Sequence, residues 1–304
     1  MKQFDCNLCF NLIDVDSKFC KYCGNPINKT MVNETTIDLG IIFEEIHQTI
    51  LKHTVLDKTE FEKEYGKYKY YENRVLSDND YFNILVDIIF YSGFKASTVN
   101  KYIDNIHKHF PSYLIVQNYN QDDIDQIMKD SNIIKNERKM WACVNNAKKV
   151  DEIIRRYGSI QEYINYFEPS KNQASLAKFK KSIETQFDFI GGITSYHFMT
   201  DIGLNVIKPD RVIMRLLTRL GLVDSDKALD QAIEIGRTMS KLSGYPIRYI
   251  DLILVLYGQL NQKGITSICT ESNPKCHLCG VKSYCNYFIQ KPQLTESLIQ
   301  SKSK

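Results

Sequence analysis

The sequence contains no apolar run long enough to cross a lipid bilayer, and its first residues, MKQFDCNLC, are too polar for a secretory signal peptide. It also lacks a strong excess of either charge, because 39 Lys and Arg residues face 36 Asp and Glu residues and leave a net charge of only +3. Any surface that binds nucleic acid must therefore be a local basic patch. These absences predict a cytoplasmic protein with no membrane partner.

A length of 304 residues is enough for one large domain or two smaller ones, each with a substantial core. Hydrophobic residues make up 43% and charged residues 25% of the chain, which is typical of a globular protein. The sequence has 9 cysteines, and all except Cys143 fall in two tight groups with the spacing of metal ligands. This pattern predicts thiolates on metal in a reducing compartment rather than disulfides.

The first cysteine group consists of two Cys-x2-Cys knuckles formed by Cys6, Cys9, Cys20 and Cys23. A segment this short cannot bury a hydrophobic core, so zinc bound by four thiolates would supply its folding energy. The knuckles resemble small zinc ribbons, and we expect such a ribbon over residues 1–28. The pattern leaves open whether the ribbon binds nucleic acid or only mediates contacts.

The central feature of the sequence is the stretch Phe187–Leu222, FDFIGGITSYHFMTDIGLNVIKPDRVIMRLLTRLGL. The paired glycines Gly191 and Gly192 favour a tight turn, and apolar residues at helical spacing follow them. The stretch therefore predicts two helices joined by a hairpin, then a connector and a third helix that begins at Pro209-Asp210. Backbone N–H groups at a helix N-terminus suit a phosphate.

These residues resemble the helix-hairpin-helix DNA glycosylases. The segment FIGGITSYHFM is similar to the hairpin of DNA-3-methyladenine glycosylase I, whereas GLNVIKPD resembles the endonuclease III branch. The resemblance implies that Asp210 is the catalytic carboxylate. Taken alone, Pro-Asp before an apolar-periodic run is an ordinary helix N-cap. Both roles can hold at once, because the catalytic Asp of this family itself opens a helix.

The resemblance also implies double-stranded DNA with a damaged base as the partner. The residues expected to hold its phosphates are Gly191, Gly192, Thr194, Lys208, Arg211 and Arg215. The residues expected to line the pocket for the damaged base are Asp87, Tyr91, Trp141 and Tyr196. The alternatives are an interhelical core position for Trp141 and a paired structural role for Asp87, since an unpaired carboxylate within ILVDIIF would be costly to bury.

Two helices are predicted near the start of the glycosylase-like region. Ser77-Asp78-Asn79-Asp80 has the residues of a helix cap and precedes the apolar run Tyr81–Tyr91, which ends at Ser92-Gly93. A second helix is expected from Ala96 to Phe110. This pattern resembles the first two helices of the glycosylase core, while IIKNERKMWA, at 133–142, resembles a run of DNA-3-methyladenine glycosylase I.

The second cysteine group, Cys269, Cys276, Cys279 and Cys285, lies in one compact segment near the end of the helical region. Four thiolates in such a loop fit a four-iron cluster, and zinc is the chemical alternative because four cysteines satisfy it as well. The spacing resembles the iron–sulfur loop of endonuclease III, and this resemblance favours a 4Fe-4S cluster. The tail, 291–304, is polar and expected to be disordered.

We therefore expect a mainly α-helical glycosylase with two subdomains behind the zinc ribbon. The expected divisions are a polar linker 29–36, a glycosylase domain 37–290 with a helical bundle 80–203, and a second subdomain of 37–79 plus 204–290 that includes the metal-cluster loop 269–285. The implied activity is base-excision repair at the nucleoid. A monomer would flip out a damaged, alkylated base and hydrolyse its N-glycosidic bond.

The resemblance also separates hydrolysis from strand cleavage. Bifunctional relatives use a lysine on the second hairpin helix as a nucleophile. The corresponding residue here is Ser195 or Tyr196, and no lysine occurs between Phe187 and Lys208. A monofunctional enzyme that uses water is therefore expected. The alternatives are an endonuclease III-like glycosylase with lyase activity and a DNA-binding module without catalysis, which would not need Asp210.

Overall fold

The computed structural model describes residues 3–5, 12–14, 38–260 and 263–290. The chain divides into two units, Met1–Asp38 and Leu39–Lys304. In the first unit, strand β1 (Gln3–Asp5) pairs antiparallel with strand β2 (Leu12–Asp14). The expected zinc ligands and two expected segments lie outside the described residues, namely Cys6, Cys9, Cys20, Cys23, the linker 29–36 and the tail 291–304.

The described part of the second unit is mainly helical, as expected. Its α-helices include α1 Leu39–His53, α2 Lys58–Tyr65, α3 Asp78–Tyr91, α4 Ala96–Val99, α5 Ile103–His109, α6 Tyr113–Val116, α7 Gln121–Lys129, α8 Glu137–Tyr157, α9 Ile160–Phe167, α10 Gln173–Gln186, α11 Ile193–Asp201, α12 Arg211–Leu220, α13 Leu229–Ser243 and α14 Ile247–Gly258. Short 3-10 helices occupy Gly66–Asn73, Cys276–Leu278 and Lys282–Tyr284. Within the described ranges, no helix combines the length and apolar character needed to span a membrane.

One hydrophobic cluster is built mainly from α3 to α11. Its fully buried side chains include Phe82, Phe90, Phe110, Val144 and Phe179. Helix α8 is the longest of these elements, and α3 and α6 both pack against it. Each such side chain removed from water contributes about 1.5–3 kcal/mol of transfer free energy, so this cluster is a principal source of stability.

A second hydrophobic cluster combines α1 and α2 with α12, α13 and α14. Its buried side chains include Ile46, Ile213, Leu217, Ile250 and Leu254. Helix α1 packs against α13 and α14, so the first helices of the unit are held by helices from its far end. Helix α12, which follows the connector from the hairpin, is therefore fixed on its apolar face by this cluster.

The helix expected from Ala96 to Phe110 is interrupted, so this expectation was wrong in its continuity. Helix α4 ends at Val99 and α5 begins at Ile103. The residues that lead into the break, Thr98 to Asn100, are weak helix formers. The Asn100 side chain also accepts a hydrogen bond from the Tyr91 hydroxyl, which ties the break to the end of α3.

The hairpin predicted from the paired glycines is present between α10 and α11. The chain turns through Phe189 and Gly192, whose φ angles are 61° and 56°. Gly192 adopts this backbone conformation without the steric cost that a side chain would add. A connector then leads from the end of α11 to Asp210, the residue immediately before α12.

Candidate active site

Asp210 is the N-cap of α12, and one of its two carboxylate oxygens makes the cap. Oδ1 accepts hydrogen bonds from the backbone N–H groups of Val212, at 2.8 Å, and Ile213, at 3.1 Å. Oδ2 lies 3.5 Å from the ammonium nitrogen of Lys208. The side chain is 23% exposed. The cap therefore fixes the orientation of the carboxylate while a second oxygen stays available to a reacting group.

The turn before Asp210 is held by side chains and backbone together. The N–H group of Asp210 donates to the carbonyl of Lys208 over 2.7 Å. The N–H group of Lys208 donates to Oδ1 of Asp251, a buried residue of α14, also over 2.7 Å. The position of Asp210 thus depends on a carboxylate 41 residues later in the chain (251 minus 210).

The N–H groups of the hairpin, which were expected to hold a phosphate, make hydrogen bonds within the protein. Gly191 donates to Oγ1 of Thr194 over 2.8 Å, and Gly192 donates to Oε1 of Glu184 over 3.0 Å. Ser195 and Lys180 also donate to Oε1 of Glu184, over 2.9 and 2.7 Å. The carboxylate of Glu184 therefore lies where a DNA phosphate is expected to bind.

The electrostatic surroundings of Glu184 favour its charged form. Burial alone would raise the pKa of this carboxyl group, but the hydrogen bonds from Lys180, Ser195 and Gly192 outweigh burial and lower it. A negative charge at the N-terminus of α11 is also stabilised by the helix dipole. The sequence offered one signal for this arrangement, the Lys180–Glu184 spacing of four residues, which is common to many helix pairs.

The three arginines of α12 have different surroundings. Arg211 is exposed. Arg215 donates to the carbonyl of Gly258 over 2.7 Å, and Arg219 donates to the carbonyls of Thr270 and Glu271 over 2.7 and 3.0 Å. Arg215 and Arg219 thus connect α12 to the end of α14 and to the cysteine loop, 269–285.

A cavity of about 630 Å³ runs along this side of α12. It is bordered by Ile193 at the start of α11, by Pro209 and by the side chains of Arg211, Arg215 and Thr218. The cavity is therefore continuous from the hairpin to the helix that Asp210 caps. Its charged lining consists of three arginines and two carboxylates, namely Arg211, Arg215, Arg219, Asp226 and Glu271, and the arginines are the groups that suit a phosphodiester backbone.

Tyr91 and Asp87, two of the residues expected to line the lesion pocket, lie one turn apart on α3. Burial raises the pKa of Tyr91 to about 12, and the charges of Asp87, Tyr68 and Asp201 contribute further. Tyr68 and Asp201 come from the 3-10 helix Gly66–Asn73 and from α11. Tyr91 therefore lies within electrostatic range of the 3-10 helix Gly66–Asn73 and of the last residue of α11.

Asp87 is paired and partly exposed. Its Oδ1 lies 2.9 Å from Nε2 of His107, and the two side chains are 37% and 33% exposed. The hydrogen bond from Asp87 raises the pKa of His107 against the opposing effect of burial. This pairing satisfies the carboxylate and leaves part of it reachable by a ligand.

Trp141 and Tyr196, the other two expected pocket residues, contact the first hydrophobic cluster. Trp141 is partly buried against it, and Tyr196 is 7% exposed within it. The ammonium nitrogen of Lys180 lies 5.1 Å from the centre of the Tyr196 ring. Both positions are typical of aromatic residues in a helical core.

The four cysteines of the loop 269–285 border one cavity together with Arg219 and Tyr287. Their thiols are not in disulfides. Arg219 donates to Sγ of Cys269 over 3.4 Å, and the Tyr257 hydroxyl donates to Sγ of Cys279 over 3.1 Å. Among the residues that the structure describes, no three His, Cys, Asp or Glu side chains are close enough to hold a single metal ion.

Comparison with known families decides what kind of protein carries this site. The family model described as methyladenine glycosylase matches residues 58–208, about half of the chain. The chain belongs to the helix-hairpin-helix DNA glycosylase superfamily. The protein is accordingly an enzyme, a DNA N-glycosylase of base-excision repair. The match ends two residues before Asp210, so the role of that carboxylate depends on its geometry.

Solved structures that match parts of the chain include glycosylases for different lesions. The 3-methyladenine DNA glycosylase I of Staphylococcus aureus is 18% identical, with a TM-score of 0.39 over 48% of this chain and 86% of that one. The 8-oxoguanine DNA glycosylase of Thermotoga maritima is 16% identical, with a TM-score of 0.48 over 75% and 100%. That of Methanocaldococcus jannaschii is 17% identical, with a TM-score of 0.45 over 70% and 92%. All three TM-scores are below 0.5, so the superfamily assignment depends on the family model.

Proposed function

We propose that the glycosylase hydrolyses the N-glycosidic bond of an alkylated base and that Asp210 is its catalytic carboxylate. The glycosidic bond is shielded within stacked DNA, so the nucleotide must be turned out of the duplex before it reacts. Departure of the base leaves positive charge on the sugar, which a fixed carboxylate stabilises while it orients water. The observation that supports this role is that the two oxygens of Asp210 have different contacts. Oδ1 accepts the N–H groups that cap α12, whereas Oδ2 is outside the cap and lies beside Lys208.

Water is the proposed nucleophile. The Ser195 hydroxyl lies within hydrogen-bond distance of two acceptors, Oε1 of Glu184 and the carbonyl of Gly192, and Tyr196 is buried. Neither side chain is an amine, so neither forms an imine with the sugar. The ammonium group of Lys208 lies beside Oδ2 of Asp210, where it suits a phosphate contact better than attack on the sugar carbon. The product is then an intact strand with an abasic site.

The surroundings of Tyr91 support an alkylated base as the substrate. N-alkylation can place a positive charge on a purine, and cations bind to the faces of aromatic rings. Tyr68 stacks on Tyr71 with ring centres 5.4 Å apart, and the charge of Tyr68 contributes to the raised pKa of Tyr91. The guanidinium of Arg248 lies 5.0 Å from the centre of the Tyr68 ring, so this region already holds one cation. Asp87 adds a negative charge near Tyr91. Aromatic rings beside a carboxylate favour a cationic base over a neutral one.

The experiment that tests the function is a comparison of duplexes. We expect the purified monomer to release free base from DNA that carries an alkylated purine, and to release little from DNA with a deaminated or oxidised base. Base release is measured by chromatography, and abasic sites by cleavage of the strand in alkali. Binding of the alkylated duplex without any release would support the non-catalytic module instead.

We further propose that the cysteine loop holds a 4Fe-4S cluster and that the first unit holds zinc through Cys6, Cys9, Cys20 and Cys23. The four thiols of the loop border one cavity, which supports a single inorganic group held by all four. The compact spacing of these cysteines, which resembles the iron–sulfur loop of endonuclease III, favours the cluster over zinc. Such a cluster would fix the loop, and hydrogen bonds to its thiolates would tune its potential.

Metal analysis tests both assignments. Anaerobically purified protein should be brown and contain about four irons and one zinc per chain, as these two types of site require. Cys276→Ser should lose iron and keep zinc. Cys143→Ser is the matched control, because Cys143 is buried in the first hydrophobic cluster and should leave both metals in place. A colourless, folded protein with two zinc ions would contradict the cluster.

A further inference from the structure

A buried ionic group lies next to the turn that carries Asp210. The guanidinium of Arg248 is at its centre, with Nη1 3.1 Å from Oδ2 of Asp251 and Nη2 3.1 Å from Oδ1 of Asp201. His197 approaches the other oxygen of Asp201, with Nε2 3.1 Å from Oδ2. The side chains of Arg248 and Asp201 are each 15% exposed, and that of Asp251 is 4% exposed.

Burial of such a group costs desolvation free energy, so stability alone does not explain its presence. The desolvation of a buried ion pair can cancel its Coulomb attraction, and apolar residues often serve stability as well or better. Burial would raise the pKa of Asp201, yet His197 and Arg248 hold it well below its ordinary value. Burial raises the pKa of Asp251, and Arg248 and Lys208 offset only part of that effect.

The contacts of Asp251 point toward the active site. Its Oδ2 faces Arg248, and its Oδ1 accepts the N–H group of Lys208 over 2.7 Å. The carbonyl of that same Lys208 accepts the N–H group of Asp210 over 2.7 Å. Two successive hydrogen bonds therefore separate the buried carboxylate from the backbone of the residue proposed to be catalytic.

The contacts of Asp201 point toward the hairpin. Asp201 is the last residue of α11, the helix that follows the hairpin. Its carbonyl accepts a hydrogen bond from Arg74 over 2.8 Å, and its carboxylate faces both Arg248 and His197. Arg248 therefore joins the end of the hairpin helix to the carboxylate that holds the turn before Asp210.

We propose that Arg248 and Asp251 are positioning residues that place Asp210 relative to a DNA strand held by the hairpin. This inference depends on the proposed catalytic role of Asp210. Asp251 fixes the turn through Lys208, and Arg248 aligns Asp251 with the end of α11. The hairpin and the carboxylate of Asp210 are thereby held in a fixed relative position, although the connector between them is not helical.

Two substitutions at Asp251 separate its hydrogen bond from its charge. Asp251→Asn keeps an oxygen that can accept the N–H group of Lys208 and removes the charge opposite Arg248. Asp251→Leu removes both. We expect single-turnover base release to slow by about 10-fold in the first variant and about 100-fold in the second, because a misplacement of about 1 Å can cost roughly 100-fold in rate. The dissociation constant for the same duplex should change less than about twofold, a difference worth under about 0.4 kcal/mol.

Two further variants keep the test decisive. Arg248→Lys retains the positive charge but loses the two-pronged contact, so it should also slow base release without weakening DNA binding. Asp130→Asn is the control. It removes the ion pair in which Oδ2 of Asp130, just after α7, lies 2.8 Å from Nε2 of His109 at the end of α5, and it should leave the rate unchanged. Far-UV circular dichroism and the melting temperature identify any variant that fails to fold. If the variants at Asp251 do not fold, the rate of base release by Arg248→Lys decides the test.

The possible outcomes are distinct. A wild-type rate of release in folded Asp251→Leu would overturn the positioning role. A parallel loss of rate and DNA affinity would also overturn it, since it would indicate a general structural role. An active Asp210→Asn variant would instead contradict the proposed function on which the inference depends.

Discussion

The carboxylate of Glu184 accepts a hydrogen bond from the backbone N–H of Gly192, over 3.0 Å, at the turn of the hairpin. An acidic side chain of the protein thus binds the backbone N–H group of Gly192, which is the kind of donor that suits a phosphate at a helix N-terminus. Ser195 and Lys180 complete the surroundings of this carboxylate. An approaching DNA phosphate would therefore compete with Glu184 for the N–H group of Gly192.

Glu184→Gln should strengthen DNA binding. The amide keeps a similar shape and can still accept from Gly192, but it no longer repels phosphate or neutralises Lys180. We expect the dissociation constant for duplex DNA to fall about 3- to 10-fold at fixed salt, in the range of helix-terminus charge effects. Fluorescence anisotropy with a labelled duplex measures it.

Glu168→Gln is the matched control, because Glu168 also forms an ion pair with a nearby lysine but is well exposed. Its Oε2 lies 2.7 Å from Nζ of Lys171. It should leave the dissociation constant unchanged. Weaker binding by Glu184→Gln, together with a lower melting temperature, would indicate that Glu184 only holds the hairpin together.

Asp210→Asn should keep the fold and DNA binding and lose most base excision. Asn also caps helices well, so the free energy of unfolding should change by less than about 1 kcal/mol. It carries no negative charge to stabilise the developing cation, so the single-turnover rate should fall by at least about 100-fold. Asp57→Asn, at the N-cap of α2, is a control for the cap alone and should remain fully active. Excision at the wild-type rate by Asp210→Asn would mean that another residue is catalytic.

Borohydride should trap no covalent complex between the glycosylase and its cognate duplex. The reason is that neither Ser195 nor Tyr196 can form an imine, so hydrolysis leaves an intact strand. Electrophoresis without alkali should therefore show no cleavage, and treatment with alkali should reveal it. A trapped complex that is absent in Lys208→Ala would instead identify Lys208 as the amine of a lyase.

Asp87→Asn should lower the pKa of His107, which a histidine resonance in an NMR titration reports. The Asp87 hydrogen bond raises this pKa in the folded protein above the ordinary value of about 6.5. The pair therefore stabilises the fold fully below about pH 6.5, and this contribution is lost as pH rises through the raised pKa. Because both side chains are about one-third exposed, the change in unfolding free energy should be small. An unchanged titration curve would refute the pairing in solution.

The local elements were predictable from sequence because their signals are local. Ser77 and Asp80 form the capping box that begins α3, three residues before the predicted start at Tyr81. Asp210 caps α12 as its Pro-Asp context indicates, and the paired glycines form the hairpin. In each case the deciding interactions involve residues within four positions of each other.

The long-range contacts of the site were not predictable, since spacing along one helix does not reveal its neighbours. Arg215 has the pattern of an exposed basic residue but donates to the carbonyl of Gly258, 43 positions later. Asp251 lies in the apolar run IDLILVL, and its buried carboxylate was detectable by the reasoning applied to Asp87. The partner of Asp251, the N–H group of Lys208, is a backbone group with no sequence signature.

Helix α12 has ten residues and is about 15 Å long. Asp210 caps its start, Arg215 fastens its second half to the end of α14, and Arg219 fastens it to the cysteine loop. No flexible joint lies between these two ends, so the helix behaves as a short rigid rod. A displacement of the segment 269–271 would therefore be transmitted along the helix to Asp210, so the position of the proposed catalytic carboxylate is mechanically coupled to the folding of the cysteine loop.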